Sequence, residues 1–358
     1  MELNLQKLLF FASLTASLYE IGAIPVDGTS TSTSWPCPDK EAIYPCTCSS
    51  DVAYNLNMDC SLVKGDQQLR DIFSFEFPFD DISTFYISDN KNISVLSANL
   101  FGEKSFIFIN IVGTSLDEID ANVFADSHET LASLNLEHDE LTEFAFDVIS
   151  QYKILVSLKL NDNKLGTLPS IQSNTLRSLI MNSNPGLKLV DGELTFEGLP
   201  NLETIKLINT DLTSIVPNLF SKLNYIRNIY LSSNNIHTIE EYSINAPLDS
   251  IEMLYIADNS ITTINVGAIT GLRTDAELDL SKNLITEMTE EVWRPILEQM
   301  SGIGNLILDD NPLFCGCDMY WIVQDEKLWR QFSPQSSCHA GGNVITLSKE
   351  QFDFMCGS

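Results

Sequence analysis

The sequence predicts an α/β solenoid, a single curved domain whose repeats each add one strand to a parallel sheet on the concave face. Two observations predict it. The pattern L-x-x-L-x-L-x-x-N occurs ten times at spacings of 21 to 28 residues, and the eight cysteines form two groups of four that flank these copies. A recurrence near 24 residues is typical of leucine-rich repeats, which stack into one continuous core. The repeat therefore outweighs the 358-residue length, which alone suggests two domains.

The repeat pattern assigns a role to each position within a unit. The ten units are predicted to begin at Ile82, Phe106, Leu131, Leu155, Leu176, Leu202, Ile226, Ile251, Asp275 and Ile303. Side chains at the first, fourth and sixth positions are expected to point inward and stack on the next unit. The ninth position is occupied by Asn90, Thr114, Asp139, Asn163, Asn184, Thr210, Asn234, Asn259, Asn283 and Asn311. An asparagine amide can both donate to and accept from buried backbone groups, so we interpret this column as structural.

The N-terminal region predicts secretion. Residues 1–23 contain Lys7 followed by a 12-residue apolar stretch, Leu8 to Tyr19, which has the length of a signal-peptide core and is too short to span a bilayer. Cleavage after Ser17 and cleavage after Ala23 are both compatible with the sequence. Residues 24–36, rich in serine and threonine, are expected to form a flexible leader. We expect a secreted, extracellular protein without membrane insertion.

The cysteines are predicted to close both ends of the solenoid. Residues 37–81 would form an N-terminal cysteine cap, residues 82–310 the repeats, and residues 311–358 a C-terminal cap that overlaps the last unit. Even numbers of cysteines in a secreted chain favour disulfide bonds. Each group of four allows three pairings. Zinc binding is the alternative for the C-x-C pairs, but irregular gaps and the absence of partnered histidines disfavour it.

The C-terminal block from Asn311 to Ile322, with Cys338 and Cys356, resembles the cap of extracellular leucine-rich repeat proteins. The N-terminal cysteine block resembles their N-terminal cap, although its first gap is longer. The resemblance implies four disulfide bonds: Cys37 to Cys48, Cys46 to Cys60, Cys315 to Cys338 and Cys317 to Cys356.

A narrower resemblance lies between Pro45 and Phe73. The strings Pro45-Cys-x-Cys48, Asp59-Cys-Ser61 and Gln68-Leu-x-x-Ile-Phe73, followed by ten repeats, resemble arthropod leucine-rich repeat proteins related to the non-catalytic subunit of oplophorus luciferase. In that family a separate small subunit emits light and the repeat protein is thought to stabilise it. The resemblance implies a non-enzymatic partner protein.

Composition and motifs exclude several functional classes. The chain carries 20 Lys and Arg against 49 Asp and Glu, a formal charge of −29, which disfavours binding to nucleic acid or other polyanions. The sequence contains no H-E-x-x-H or G-x-S-x-G motif, no phosphate-binding loop and no dinucleotide-binding fingerprint. Of the four histidines, His138 stands between two acids, but it neighbours a ninth-position turn residue, so we interpret it as part of a solvated turn. We therefore predict no catalytic site, no metal and no cofactor.

The outward strand positions predict a protein-binding surface. Units four to seven carry Lys159, Arg177, Lys206 and Arg227 against two acids, whereas the other six units are net acidic. Exposed Tyr and Ile beside Lys are typical of protein interfaces. The predicted contact set is Lys159, Ile180, Lys206, Tyr230 and Tyr255, with Ile208 and Met253 at its edge. The alternative is that strand surfaces favour Tyr and Ile without any partner.

These observations predict a secreted, non-enzymatic protein that binds another extracellular protein through its concave face. The alternative function is that of a stabilising subunit in a secreted luciferase-like monooxygenase complex. The sequence also contains one N-x-S/T sequon, which predicts a glycan on Asn92, just past the first repeat turn.

Overall fold

The computed structural model describes residues 35–357, so the predicted signal peptide and most of the predicted leader lie outside the described residues. Within this part of the chain, one 12-stranded sheet runs through every unit. Its strands, in spatial order, are Thr47–Ser50, Leu56–Asp59, Asp81–Ser88, Ser105–Val112, Ser133–Asn135, Ser157–Lys159, Ser178–Ile180, Thr204–Lys206, Asn228–Tyr230, Ile251–Tyr255, Leu272–Asp279 and Asn305–Ile307.

The sheet adds one parallel strand per repeat in strict sequence order. Fourth-position residues face each other across neighbouring strands, as Leu158, Leu179 and Ile205 do. All fourth- and sixth-position side chains are at most 1% exposed. The first two strands form an antiparallel hairpin in the N-terminal cap, which extends the same sheet. The predicted α/β leucine-rich repeat solenoid is confirmed.

The chain leaves each strand through a turn with fixed backbone geometry. The eighth residue of every unit has a φ between 51° and 72°, the left-handed region. Gly113 occupies this position in the second unit, and polar residues that tolerate the region are frequent in the others. The ninth side chain then packs against the turn, and it is buried in every unit except the eighth, where Asn259 is half-buried. Asn163, for example, donates from its amide to the carbonyls of Leu136 (2.7 Å) and Leu160 (3.3 Å).

The last two units depart from the predicted pattern at their first position. Asp275 and Ile303 were expected to point inward, but Asp275 is exposed and Ile303 is 71% exposed. A register shift in the strand Leu272–Asp279 pairs Leu272 with Ile251, so Leu272 fills the inward position instead. In the final unit a side chain on Gly304 would collide with Met300 and with the carbonyl of Ala276.

The return segments contain short elements rather than long helices. The helices are Asp66–Phe73, Glu290–Gln299, Tyr320–Val323, Glu326–Trp329 and Lys349–Cys356, and the 3-10 segments are Ala125–Ser127, Phe146–Gln151, Gly192–Leu194, Cys317–Met319 and Val344–Thr346. None of the helices among residues 35–357 combines the length and hydropathy of a bilayer-spanning segment. One large apolar side chain from most return segments is buried, which closes the core opposite the sheet; these are Phe101, Phe124, Ile149, Phe196, Phe220, Ile244, Ile269 and Trp293.

Disulfide bonds close both ends of the repeat stack. They join Cys37 to Cys48, Cys46 to Cys60, Cys315 to Cys338 and Cys317 to Cys356, the same pairs that the resemblance implies. In the C-terminal cap, Trp321 covers the last units and donates from its indole N–H to the carbonyl of Met288 at 2.8 Å. The caps thus cover the apolar edges that the first and last repeats would otherwise expose.

Candidate protein-binding site

Five of the seven predicted contact residues form one straight row across the sheet. Strand register pairs Lys159 with Ile180, Ile180 with Lys206, Lys206 with Tyr230, and Tyr230 with Tyr255. Neighbouring strands lie about 4.8 Å apart, so the row covers about 19 Å. All five side chains are partly exposed. They point away from the core because the residues before and after each one are buried fourth- and sixth-position residues.

Tyr230 is the centre of this row. The Nζ atom of Lys206 lies 4.3 Å from the centroid of its ring, and the ring of Tyr255 packs edge-on at 5.1 Å with an interplanar angle of 88°. Its hydroxyl donates to the sulfur of Met253 at 3.3 Å. These contacts hold four side chains in place before any partner binds, which lowers the entropy cost of binding. We call Lys206, Tyr230, Met253 and Tyr255 the tyrosine cluster.

Both phenols of the tyrosine cluster remain neutral at physiological pH. Burial and the neighbouring Glu277 carboxylate raise the pKa of Tyr230 above its ordinary value. Burial also raises the pKa of Tyr255, and the hydrogen bond that its hydroxyl donates to Glu277 raises it further. The cluster therefore offers amphipathic rings rather than phenolate charges, which suits a protein interface.

Ion pairs restrict the positive charge of this surface to the lysines. Arg177 pairs with Glu203, and Arg227 pairs with Glu252 of the eighth unit at 2.7 Å. The predicted surplus of four bases over two acids is therefore smaller in the structure, because Glu252 enters from outside the four units counted. Among residues 35–357, Lys159 and Lys206 make no ion pair within 4.0 Å. The positive side of the row thus consists of two lysines flanking Ile180.

The edge residues extend the same face. Met253 lies two residues before Tyr255, is 39% exposed, and joins the cluster through its sulfur. Ile208 lies two residues after Lys206, and its N–H donates to the Asn182 side chain at 2.9 Å. The N–H of Asn182 donates in turn to Asn161 at 2.7 Å. Sequence reasoning missed this pair of bridging asparagines, although their recurrence at the seventh position was a usable signal.

The other singled-out residues lie apart from this row. His138 and the carboxylate of Asp162 are 3.1 Å apart, and both side chains are well exposed in neighbouring turns. Within the described residues, no group of three or more His, Cys, Asp or Glu side chains is arranged to hold a metal ion. Asn92 is exposed, with its N–H donating to Asn90 at 2.9 Å, so its side chain is accessible to modification.

Comparison with known proteins identifies related chains. Residues 174–236 and 224–285 match the family model described as Leucine rich repeat. The chain is 32% identical over 326 residues to the Oplophorus-luciferin 2-monooxygenase non-catalytic subunit of Oplophorus gracilirostris, a match covering 89% of this chain and 88% of that protein. It is 28% identical to Tsukushi-A of Xenopus laevis over 180 residues, 46% of this chain and 51% of that one.

A structural comparison supports the same fold. A chain of the octameric complex of latrophilin 3, Unc5D and FLRT2 superposes with a TM-score of 0.51 at 17% identity, covering 79% of this chain and 86% of that chain. At this level of identity the likeness concerns the fold alone.

Proposed function

Because this chain belongs to the family of leucine-rich repeat proteins that includes the Oplophorus-luciferin 2-monooxygenase non-catalytic subunit, we propose that it is a secreted, non-enzymatic protein that binds another extracellular protein. The binding surface is the open face of the sheet, which in a solenoid of this type lines the concave side. The contact set is Lys159, Ile180, Lys206, Ile208, Tyr230, Met253 and Tyr255.

The tyrosine cluster is the observation that carries this proposal. Tyrosine is enriched among the residues that dominate binding energy, and such residues act best when packed and surrounded by supporting contacts. Tyr230 has such contacts on three sides, from Lys206, Tyr255 and Met253. The two lysines favour a partner that presents carboxylates next to apolar side chains, because the surface around them repels carboxylates less than the acidic remainder of the chain does.

The test combines capture of a partner from the native secreted fraction with one double substitution. Lys206→Ala with Tyr230→Glu removes the cation over the ring and places a charge at the centre of the cluster. We expect affinity for the captured partner to fall by at least about tenfold, since a central aromatic anchor is lost. Unchanged affinity of the folded double variant would exclude this face as the binding surface.

Tyr86 provides the matched control. It occupies the same fifth position in the first unit, is 42% exposed, and lies three strands beyond Lys159 on the same sheet face. Tyr86→Glu introduces the same chemical change on the same sheet face, so it tests whether any loss of binding is specific to the cluster. We expect Tyr86→Glu to retain wild-type affinity. Thermal unfolding of each variant verifies that the fold is intact.

The second candidate function is that of a stabilising subunit in a secreted luciferase-like monooxygenase complex. The 32% identity to a protein named as the non-catalytic subunit of such an enzyme favours it. Copurification of a small catalytic protein at fixed stoichiometry supports this function, whereas recovery of matrix or receptor proteins supports the first. Luciferin oxidation by the isolated chain would contradict both.

We also propose that residues 1–23 are removed on secretion and that Asn92 carries a glycan. Mass spectrometry of the protein secreted by insect cells tests both, because it reads the mature N-terminus and the modified asparagine. Asn92→Gln should lower the mass by one glycan and leave secretion of a folded chain intact. Intracellular retention of the wild-type chain would contradict the localisation.

A further inference from the structure

The lateral edge of the solenoid, just past each repeat turn, has its own row of short strands. In the first two units Val95–Leu96 pairs with Glu118–Ile119, in units four and five Thr167–Leu168 pairs with Lys188–Leu189, and in units seven and eight Thr238–Ile239 pairs with Thr263–Ile264. The equivalent residues of the third unit, Glu143 and Phe144, form no strand in the described structure. The series of lateral strand pairs is therefore interrupted between units two and three.

A groove of about 660 Å³ lies at this interruption, between residues 117–121 and residues 142–145. On one side of the groove the units are joined by the bond from the N–H of Glu140 to the carbonyl of Leu116 at 2.9 Å, and on the other by the bond from the N–H of Lys153 to the carbonyl of His128 at 2.8 Å. The groove opens between these two bonds. The groove is thus an opening between two stacked repeats rather than a depression in a single loop.

Both walls of the groove present unpaired backbone groups. The N–H groups of Glu118 and Asp120 donate to Ser94 (3.3 Å) and Leu96 (2.8 Å) of the first unit, so the N–H and C=O of Ile119, between them, point toward the groove. On the opposite wall, the N–H groups of residues 142–145 donate to no acceptor among the described residues. A strand edge at Ile119 and an irregular segment with free N–H groups, residues 142–145, therefore border the same opening.

The side chains of the groove divide into an apolar floor and an acidic rim. Ile119, Ala121, Phe144 and Ala145 are partly buried and pack on the core. Asp117, Glu118, Asp120 and Glu143 supply carboxylates, and the lining contains no lysine, arginine or histidine.

The sixth unit has a smaller groove at the equivalent place, bridged by a hydrogen bond of the protein itself. It also lacks a lateral strand, but its groove beside the fifth unit measures about 310 Å³ and is lined by Lys188 as well as by one acid, Asp211. There Asp211 accepts from the N–H of Gly186 at 3.0 Å, so a side chain of the protein itself pairs with the opposite wall. The groove at the third unit is larger, and all of its charged lining residues are acids. It has no such internal bridge in the described structure.

We propose that this groove binds an extended basic segment of a partner protein by strand addition. The peptide backbone pairs with the open strand edge at Ile119 and with the free N–H groups of residues 142–145. Because side chains alternate along a strand, apolar residues of the segment contact Phe144 and Ile119, and intervening lysines or arginines reach the carboxylates. Charge complementarity selects a basic occupant, since four carboxylates line the site without a counter-charge. This site is separate from the open face of the sheet and does not depend on it.

The probe that tests the proposal is a short, end-capped peptide of alternating lysine and valine with a fluorophore at one end. Its binding to the full secreted chain is measured by fluorescence anisotropy, and amide hydrogen exchange is followed at residues 142–145. We expect saturable binding, slower exchange at those amides, and loss of both when alternate peptide nitrogens are methylated. Equal binding of the methylated peptide, or no saturation up to about 1 mM, would overturn strand addition here.

Charge reversal distinguishes this groove from general attraction to an acidic protein. Glu118→Lys with Glu143→Lys should weaken peptide binding by about tenfold or more, because two rim carboxylates become repulsive. The matched control is Glu240→Lys with Glu241→Lys, the same charge change beside the paired strand Thr238–Ile239, which should leave affinity near that of the wild type. Equal weakening by both double variants would show that net charge alone attracts the peptide and would refute the site.

Discussion

Each repeat contributes one side chain to the buried ninth-position column and one to the fifth-position row on the open face of the sheet. The two sets are separated by a single turn, yet their chemistry differs. The column holds seven asparagines and three short polar substitutes, whereas the row contains Tyr, Asn, Lys, Ile and Asp. Every unit must satisfy the same turn, but no such common demand acts on the open face. We therefore interpret the uniform ninth-position column as serving stability. The varied fifth-position row is the set of residues that is free to serve binding.

The exceptions in the column support this interpretation. Thr210 cannot supply an amide, and its N–H and hydroxyl instead donate to the side chain of Asn234 in the next unit, at 2.9 and 3.1 Å. Thr114 donates in the same way to Asp139, at 2.7 Å for both bonds. A shorter side chain is tolerated where the following unit provides the acceptor.

Replacing a column asparagine should have the largest effect on stability. Asn234→Ala removes an amide that donates to Leu207 (2.7 Å) and Leu231 (2.9 Å) and accepts from Thr210. Because these buried backbone groups are left unpaired, we expect a loss of roughly 3 kcal/mol in the free energy of unfolding. Chemical denaturation measures it. Asn235→Ala, on the exposed neighbour, should change it by less than about 0.5 kcal/mol. Similar losses for both variants would contradict the role of the column.

The acidic member of the column should make stability depend on pH. Burial raises the pKa of Asp139 to about 6, although hydrogen bonds from Thr114 oppose the shift, and its Oδ2 atom is buried without a partner. A folded pKa above the unfolded value means that the folded state binds the extra proton. The stability that protonated Asp139 contributes is present below about pH 4 and is lost as the pH rises to about 6.

Asp139→Asn restores the usual residue and should remove this dependence. We expect a gain of about 2 kcal/mol at pH 7 and little change at pH 4, since the asparagine never carries the buried charge. Denaturation at several pH values gives the comparison. Asp147→Asn, at an exposed position nearby, controls for net charge. A gain that is equal at both pH values would show that titration of Asp139 is not its cause.

The sequence predicts the column and the row well but not the contacts between units. Periodicity placed the inward leucines and the ninth-position asparagines, because each depends only on its own unit. The pairing of Arg227 with Glu252 and the shift that places Leu272 opposite Ile251 both depend on the register between neighbouring units. The groove beside Phe144 arises because a lateral strand is missing, and the repeat pattern carries no signal for an absent pairing.

The smallest expected effect is an electrostatic one within the row itself. Burial raises the pKa of Tyr255, and the hydrogen bond that Glu277 accepts from its hydroxyl raises it further. Glu277→Gln removes the negative charge, so the pKa of Tyr255 should fall toward its ordinary value while burial keeps it somewhat elevated. Stability should change by less than about 1 kcal/mol, as is usual for partly exposed pairs. Ultraviolet difference titration of Glu277→Gln against Glu277→Gln with Tyr255→Phe isolates this phenol. Glu240→Gln, which lies outside the row, should leave the titration unaltered. An unchanged titration of Tyr255 in Glu277→Gln would mean that burial alone raises the pKa of this phenol.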